Sequence, residues 1–301
     1  MKKILITGGS GLVGSNFQCG EKVSSKKLNL LNYDSSNAFI KNFDPECIIH
    51  CAAMVGGLYK NMARNAEFFD KNIKINSNLL NISKNLGVKK LIGFLSTCIF
   101  PDGLNKPLEE TDLHLGPPHN SNYGYAYAKR MFDVQVKSYN EQFNLNYFNI
   151  IPTNVYGLND NFNLQSSHVV PGLIHKVYNA QRNGTDLIVW GSGIAKREFI
   201  FAKDLSNITL QLLDKYEGTD PIIVSPSEEI SIKDLVDLIV QISNFKGNVI
   251  FDKTKSDGQL VKNTNNDRLM SILPNIKFTP IEEGLKETID WFFSNYEKIR
   301  K

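Results

Sequence analysis

The segment KILITGGSGLVGS constrains this chain more than any other. A short apolar run, Ile4–Thr7, leads straight into Gly8, Gly11 and Gly14, and an apolar-periodic stretch follows. Glycines at this spacing let a buried strand turn tightly into a helix and let backbone approach a ligand closely. The helix start offers N–H groups without intrahelical partners and a positive dipole end, which suit a pyrophosphate. The loop Gly8, Gly9, Ser10, Gly11, Leu12, Val13 and Gly14 is therefore the expected dinucleotide site. A glycine triplet alone is compatible with an ordinary strand–helix turn; its place after the first apolar run favours the nucleotide. The stretch Ser15–Glu21 before the second strand is short, which predicts a truncated first helix.

Further apolar runs follow at Cys47–Ala53, Lys90–Ser96 and Phe148–Pro152, with helix-like segments around Asn72–Leu86 and Tyr125–Phe143. Strand alternating with helix predicts an α/β protein with a Rossmann-type doubly wound parallel sheet. After Pro152 the loops lengthen and the elements shorten. A smaller, mixed α/β substrate domain is expected there. The division predicted is 1–153 for the nucleotide domain, with 199–225 returning to it, and 154–198 with 226–301 for the substrate domain. Ser231 and Asp234 resemble a capping box at the head of Ile232–Ile242. Thr279–Tyr296 reads as a last amphipathic helix with Pro280 in its first turn. Asp204 is expected to cap the helix it opens.

The composition excludes several function classes. With 301 residues and 42% hydrophobic content the chain can bury a large core. A net charge of +3 gives no reason to expect nucleic acid as a partner. Cys19, Cys47, Cys51 and Cys98 form no CxxC pair and no zinc-like cluster, so no metal and a reduced, cytoplasmic setting are expected. No apolar stretch approaches the roughly 20 residues that span a bilayer, and no signal peptide precedes Ile4, so no membrane partner is expected.

Two features narrow the chemistry. The second strand region, EKVSSKKLNLLN, ends in Ser24, Ser25, Lys26 and Lys27 rather than in a carboxylate. An acidic residue there would accept from the ribose hydroxyl of NAD; these donors suit a 2′-phosphate, so NADP(H) is the expected cofactor with Lys26 as a contact. Solvated surface is the plainer reading of the lysines. Second, Tyr125 and Lys129 stand four residues apart, on one helix face. An ammonium beside a phenol favours the phenolate and eases proton exchange near neutral pH. Ser96, at a strand end, could bond a substrate carbonyl. Tyr123 and Tyr127 lack a lysine four residues on. The order of glycine loop, serine and then YxxxK resembles the short-chain dehydrogenase/reductase family.

The segments MVGG (Met54–Gly57), FLSTCIFP (Phe94–Pro101), PTNVYGLNDNF (Pro152–Phe162), SSHVVPGLIHK (Ser166–Lys176), VWGSGIAKREFIF (Val189–Phe201) and FDKTKSDG (Phe251–Gly258) bring the likeness closer. Together with the closing EEGLKETIDWF they make the chain similar, nearly end to end, to the GDP-L-fucose synthase family. The resemblance implies an epimerase–reductase that inverts carbons 3 and 5 of GDP-4-keto-6-deoxy-D-mannose and reduces its 4-ketone with NADPH. It implies Cys98 as epimerisation base, His168 as acid, and Ser96, Tyr125 and Lys129 as the reductase group. Leu95, Ser96, Lys129, Pro152, Asn154, Val155 and His168 would complete the cofactor contacts. Lys176 and Arg197 would meet the diphosphate, Trp190 would line the substrate pocket, and Asp257 would contact sugar or base. A homodimer packed through the helices near Asn72–Leu86 and Tyr125–Phe143 is also implied.

Some positions depart from the family pattern. Ser10 stands where a basic residue is common, Lys176 where arginine is common, and QLVK follows the SDG segment, which weakens the expectation of a diphosphate contact by Lys262. A related GDP-keto-sugar, a 4-epimerase or simple 4-keto reductase of the same fold, and a non-catalytic nucleotide-binding protein remain as alternatives. The plainer readings are a buried structural thiol for Cys98, packing or surface for His168 and core packing for Trp190.

Overall fold

The computed structural model describes residues 2–104, 106–257, 260 and 262–299. Gly258, the end of the SDG segment, lies outside the described residues. The first half runs β1 (Ile4–Thr7), α1 (Leu12–Ser15), β2 (Glu21–Val23), α2 (Tyr33–Phe43), β3 (Cys47–His50), α3 (Leu58–Ala63), α4 (Asn65–Asn85), β4 (Lys90–Phe94), α5 (Tyr123–Phe143) and β5 (Asn146–Pro152). The second half runs β6 (Asn154–Tyr156), α6 (Val169–Asn183), β7 (Leu187–Trp190), β8 (Lys196–Phe201), α7 (Ala202–Lys215), β9 (Ile222–Val224), β10 (Glu229–Ser231), α8 (Ile232–Ile242), β11 (Val249–Asp252), α9 (Asp267–Ile272) and α10 (Ile281–Asn295).

Six strands form one sheet in the order β2-β1-β3-β4-β5-β9. Every neighbouring pair in it is parallel. Alternate side chains of a strand point to opposite faces, and the core divides accordingly. Leu5, Ile48, Leu91 and Tyr147 pack with Leu79 and Leu80 of α4 and Phe132 and Val136 of α5. Ile6, Ile49, Ile92 and Phe148 pack with Leu205, Ile208 and Leu212 of α7. Helices thus cover both faces, as in a doubly wound Rossmann-type fold. Strand order reverses between β1 and β3, and that reversal opens a crevice at their carboxyl ends where such sheets bind ligands.

The remaining strands make a mixed three-stranded sheet, β10-β8-β6, and a two-stranded one, β11-β7. With α6, α8 and α10 they enclose a separate core that includes Leu173, Val189, Phe199, Leu235, Leu285 and Phe292. No helix among the described residues is long and apolar enough to cross a membrane.

The local signals explain most boundaries. As the short connection implied, α1 is a single turn of 4 residues. The Lys22 ammonium closes its far end, donating to Ser15 O at 3.1 Å and Phe17 O at 2.8 Å. Ser231 Oγ accepts from the Asp234 N–H at 3.0 Å and so starts α8 where its spacing suggested. Helix α4 begins earlier than the apolar pattern indicates. Its first turns bury Phe68, Glu67 pairs with Arg64 and Lys71, and Asn65 Oδ1 accepts from the Gly124 N–H at 2.6 Å. Asp204 does not cap α7 as expected. It lies inside the first turn, and its carboxylate accepts from the Thr279 N–H at 2.7 Å and hydroxyl at 2.9 Å. That contact holds Thr279 outside the last helix, which starts at Ile281.

Candidate active site

The glycine loop lies in the β1/β3 crevice. Gly8 has φ +68°, and a Cβ there would stand 2.7 Å from Ala52 N. A Cβ on Gly14 would stand 2.4 Å from Gly8 O. Only glycine lets the turn settle this closely onto the exit of β3. The single-turn α1 carries little macrodipole, so its unpaired first-turn N–H groups are the main attraction for a phosphate. Lys26 is exposed just beyond β2, and Lys27 makes a loose exposed pair with Glu21 at 3.7 Å. The tight cradle and the basic end of β2 fit a dinucleotide carrying a 2′-phosphate.

A buried polar chain braces this crevice from below. His50 Nδ1 accepts from the Thr7 hydroxyl at 2.8 Å, and His50 Nε2 donates to Asn76 Oδ1 at 3.1 Å. Thr7 Oγ1 in turn accepts from the Ala52 N–H at 3.2 Å. Burial drives the pKa of His50 down to about 3, with the Lys129 charge adding to it, so the ring is neutral. Sequence reasoning missed this residue; its only signal is a histidine inside the apolar run CIIHCAA. Asn72 performs a similar service for MVGG. Its side chain accepts from the Met54 N–H at 2.9 Å and donates to Met54 O at 3.0 Å.

The reductase residues meet at the end of β4. Lys129 Nζ donates to Phe94 O at 2.6 Å and lies 6.0 Å from the centre of the Tyr125 ring. Burial pushes the Lys129 ammonium down to about 8. Burial also raises the Tyr125 phenol, and the nearby Cys98 raises it further. Burial and Cys98, rather than the Lys129 ammonium, set the direction, and Tyr125 keeps its proton. A protonated phenol is the form that can donate to an alkoxide. Leu95, buried, continues β4 by donating its N–H to Ile150 O at 2.8 Å.

Ser96 caps a 3-10 turn, Thr97–Ile99, and its Oγ accepts from the Cys98 N–H at 3.5 Å. The turn aims Cys98 into the same region. Burial raises the thiol's pKa, while Lys262, the Ser96 hydroxyl and Lys129 oppose that rise. His168 stands immediately before α6, keeping an exposed edge while the surrounding protein lowers its pKa. Its approach is fixed by Gly57, whose N–H donates to Ser166 O at 3.0 Å. Pro152 ends β5 and Val155 lies in β6, with Asn154 between them donating to Glu198 O at 2.8 Å.

Recognition residues extend away from this centre. Lys262 is pushed down to about 8, first by burial, and it feels Cys98, Arg197 and Asp102. Lys262 thus links the reacting region to Arg197, although QLVK had made it a weak candidate. Burial lowers Arg197, and Asp257 opposes the shift. The Asp257 carboxylate accepts from the Ser192 N–H at 2.7 Å and hydroxyl at 2.9 Å, so it shapes the loop after Trp190. Lys176 Nζ lies 4.3 Å above the Trp190 ring and donates to Ile188 O at 3.0 Å. Trp190 is 47% exposed, so core packing does not describe it. The segment carrying Lys262 is anchored by Glu198, a buried carboxylate that accepts from the Thr264 N–H at 3.0 Å and hydroxyl at 2.6 Å and from the Ser225 hydroxyl at 2.8 Å.

Known proteins resemble this chain in sequence and fold. The model of the NAD dependent epimerase/dehydratase family matches residues 16–225. A GDP-L-fucose synthase from Dictyostelium discoideum is 44% identical over 100% of this chain and 98% of its own length. A probable GDP-L-fucose synthase from Drosophila melanogaster is 39% identical, over 100% of both chains. A GDP-L-fucose synthetase from Naegleria fowleri, solved bound to NADP, superposes with a TM-score of 0.94 at 38% identity, covering 100% of this chain and 96% of that one. The glycine crevice, the YxxxK pair at the end of β4 and full-length identity at this level agree: the chain belongs to the NAD dependent epimerase/dehydratase family and, within it, to the GDP-L-fucose synthase family.

Proposed function

We propose that this chain is an NADPH-dependent epimerase/reductase that converts GDP-4-keto-6-deoxy-D-mannose to GDP-L-fucose. The observation that carries the reading is the convergence of Tyr125, Lys129, Ser96 and Cys98 at the end of β4, within electrostatic reach of Lys262. Cys98, as thiolate, removes the protons at carbons 3 and 5, which the neighbouring 4-ketone makes acidic. His168 returns protons on the opposite face. Ser96 and Tyr125 bond the C4 oxygen and stabilise the enolate that each proton removal creates. NADPH, when bound, supplies the hydride that reduces C4. Tyr125 then gives its proton to the C4 oxygen, and Lys129 holds the nicotinamide ribose. One carbonyl site serves both reactions.

In this reading residues 1–153 with 199–225 carry the cofactor, and 154–198 with 226–301 carry the GDP-sugar. Gly8 to Gly14 and Lys26 hold the pyrophosphate and the 2′-phosphate. Lys176, Arg197 and Lys262 neutralise the GDP diphosphate, Trp190 lines the pocket, and Asp257 shapes the loop beside it. The enzyme works in the cytoplasm as a homodimer through α4 and α5, which sedimentation at micromolar concentration tests. The activity is tested by NADPH absorbance loss with GDP-4-keto-6-deoxy-D-mannose, followed by sugar analysis. GDP-L-fucose is the expected product. NADPH oxidation that yields only an unepimerised sugar would reduce the protein to a 4-keto reductase, and no oxidation by folded, NADPH-binding protein would point to another substrate.

A further inference from the structure

Arg130 follows Lys129 on α5 and is 3% exposed, yet neither reaction described above uses it. Its Nε donates to Ile99 O, and its Nη1 donates to Gly116 O at 2.6 Å. The Tyr127 ring lies against the guanidinium, 5.4 Å from Cζ. Ile99 closes the 3-10 turn that carries Cys98, and Gly116 belongs to the loop leading towards α5. One planar fork therefore ties the Cys98 turn to a distant stretch of backbone, a geometry that a lysine ammonium does not reproduce. The turn's own bonds are local: the Cys98 N–H to Ser96 Oγ at 3.5 Å, the Ile99 N–H to Ser96 O at 3.1 Å and the Phe100 N–H to Thr97 O at 3.4 Å. The arginine adds a tie from outside the turn to these bonds within it.

Burying a guanidinium is costly, and an apolar side chain of similar volume commonly serves packing as well or better. Packing alone does not account for an arginine here. Placement of a catalytic group does: proton abstraction from carbon is sensitive to displacements of about 1 Å. Burial lowers the Arg130 pKa, and Tyr127 and Cys98 oppose that shift.

We propose that Arg130 is a positioning residue for Cys98, which clamps Ile99 to Gly116 so that the thiol meets carbons 3 and 5, and that epimerisation depends on it while hydride transfer does not. The inference rests on Cys98 being the base. A reductase whose base turn is loosened makes a different product rather than less of the same one.

The test uses the full chain with Arg130→Lys, Arg130→Met and Cys98→Ser. Deuterium uptake at carbons 3 and 5 of GDP-4-keto-6-deoxy-D-mannose is measured in D2O, beside NADPH binding, NADPH oxidation and product sugar. In Arg130→Lys, uptake should fall roughly 10- to 100-fold, with NADPH binding unchanged and oxidation retained, so that the product shifts to unepimerised sugar. Arg130→Met should lose more uptake; should it not fold, Arg130→Lys decides alone. Unchanged uptake in Arg130→Lys, with none in Cys98→Ser, overturns the clamp but leaves the base. Parallel loss of uptake, oxidation and NADPH binding in Arg130→Lys makes the arginine merely structural and also overturns it. Undiminished uptake in Cys98→Ser overturns the base assignment and the clamp with it.

Discussion

His50 shows how a single residue ties stability to pH. Its folded pKa of about 3 lies below the ordinary 6.5. Between those values the unfolded chain binds a proton that the folded one refuses, so stability falls as pH drops from 6.5 towards 3 and is unaffected by this group above 6.5. Between pH 7 and pH 5 the loss is about 2 kcal/mol. Urea unfolding of His50→Gln should show a correspondingly weaker pH dependence over that range; curves parallel to the wild type would contradict it. Tyr125→Phe removes the proton donor to the C4 oxygen. NADPH oxidation should slow by roughly 10²- to 10⁴-fold with NADPH affinity unchanged, and stopped-flow absorbance separates the two. Residues of this kind were legible in the sequence when their partners were near in the chain. The glycine loop and YxxxK are spacings, and a spacing can be read. Lys262 could not be weighed that way, because its neighbours Cys98 and Arg197 reach it from distant segments. The protonated state of Tyr125 was equally hidden, since it depends on how completely the fold desolvates the phenol.

At the scale of elements, the glycine turn is the most constrained piece. A methyl group on Gly14 has no room against Gly8 O. Gly14→Ala should therefore raise the NADPH dissociation constant at least about tenfold, equivalent to about 1.4 kcal/mol, measurable by fluorescence titration. Wild-type affinity would mean that the cradle yields. Strand β1 and helix α8 have the bounds that their apolar patterns indicate, because an abrupt glycine marks the end of the strand and a serine cap marks the start of the helix. The start of α4 was not legible: its first turns mix Phe68 with charged residues and are held in part by ion pairs and by a bond to the head of α5. The short strands β6, β8 and β10 were hidden for another reason. They pair across long separations in a small mixed sheet, and a run of 3 residues such as β10 carries no periodicity of its own.

For the whole molecule, the first half was read correctly as alternating strand and helix because each parallel pair demands a crossover, and crossovers leave long helical patterns. After Pro152 the chain enters the smaller region, returns to the large sheet at β9 and leaves it again. Cofactor choice is expressed at this scale too. A ligand that binds only the folded state stabilises it, by about 2.7 kcal/mol at 100 times its dissociation constant. NADPH should raise the melting temperature more than NADH at equal concentration, and Lys26→Ala should narrow the gap; equal shifts from both cofactors would contradict a site built for the 2′-phosphate. The central claim is that one carbonyl site serves both reactions, with Cys98 needed for epimerisation and not for reduction. The most direct test is turnover of GDP-4-keto-6-deoxy-D-mannose with NADPH in D2O by wild type and Cys98→Ser, with the sugar analysed by mass spectrometry and NMR. The account predicts GDP-L-fucose deuterated at carbons 3 and 5 from the wild type, and from Cys98→Ser a reduced sugar with little deuterium at either carbon. Fully deuterated GDP-L-fucose from Cys98→Ser would contradict it.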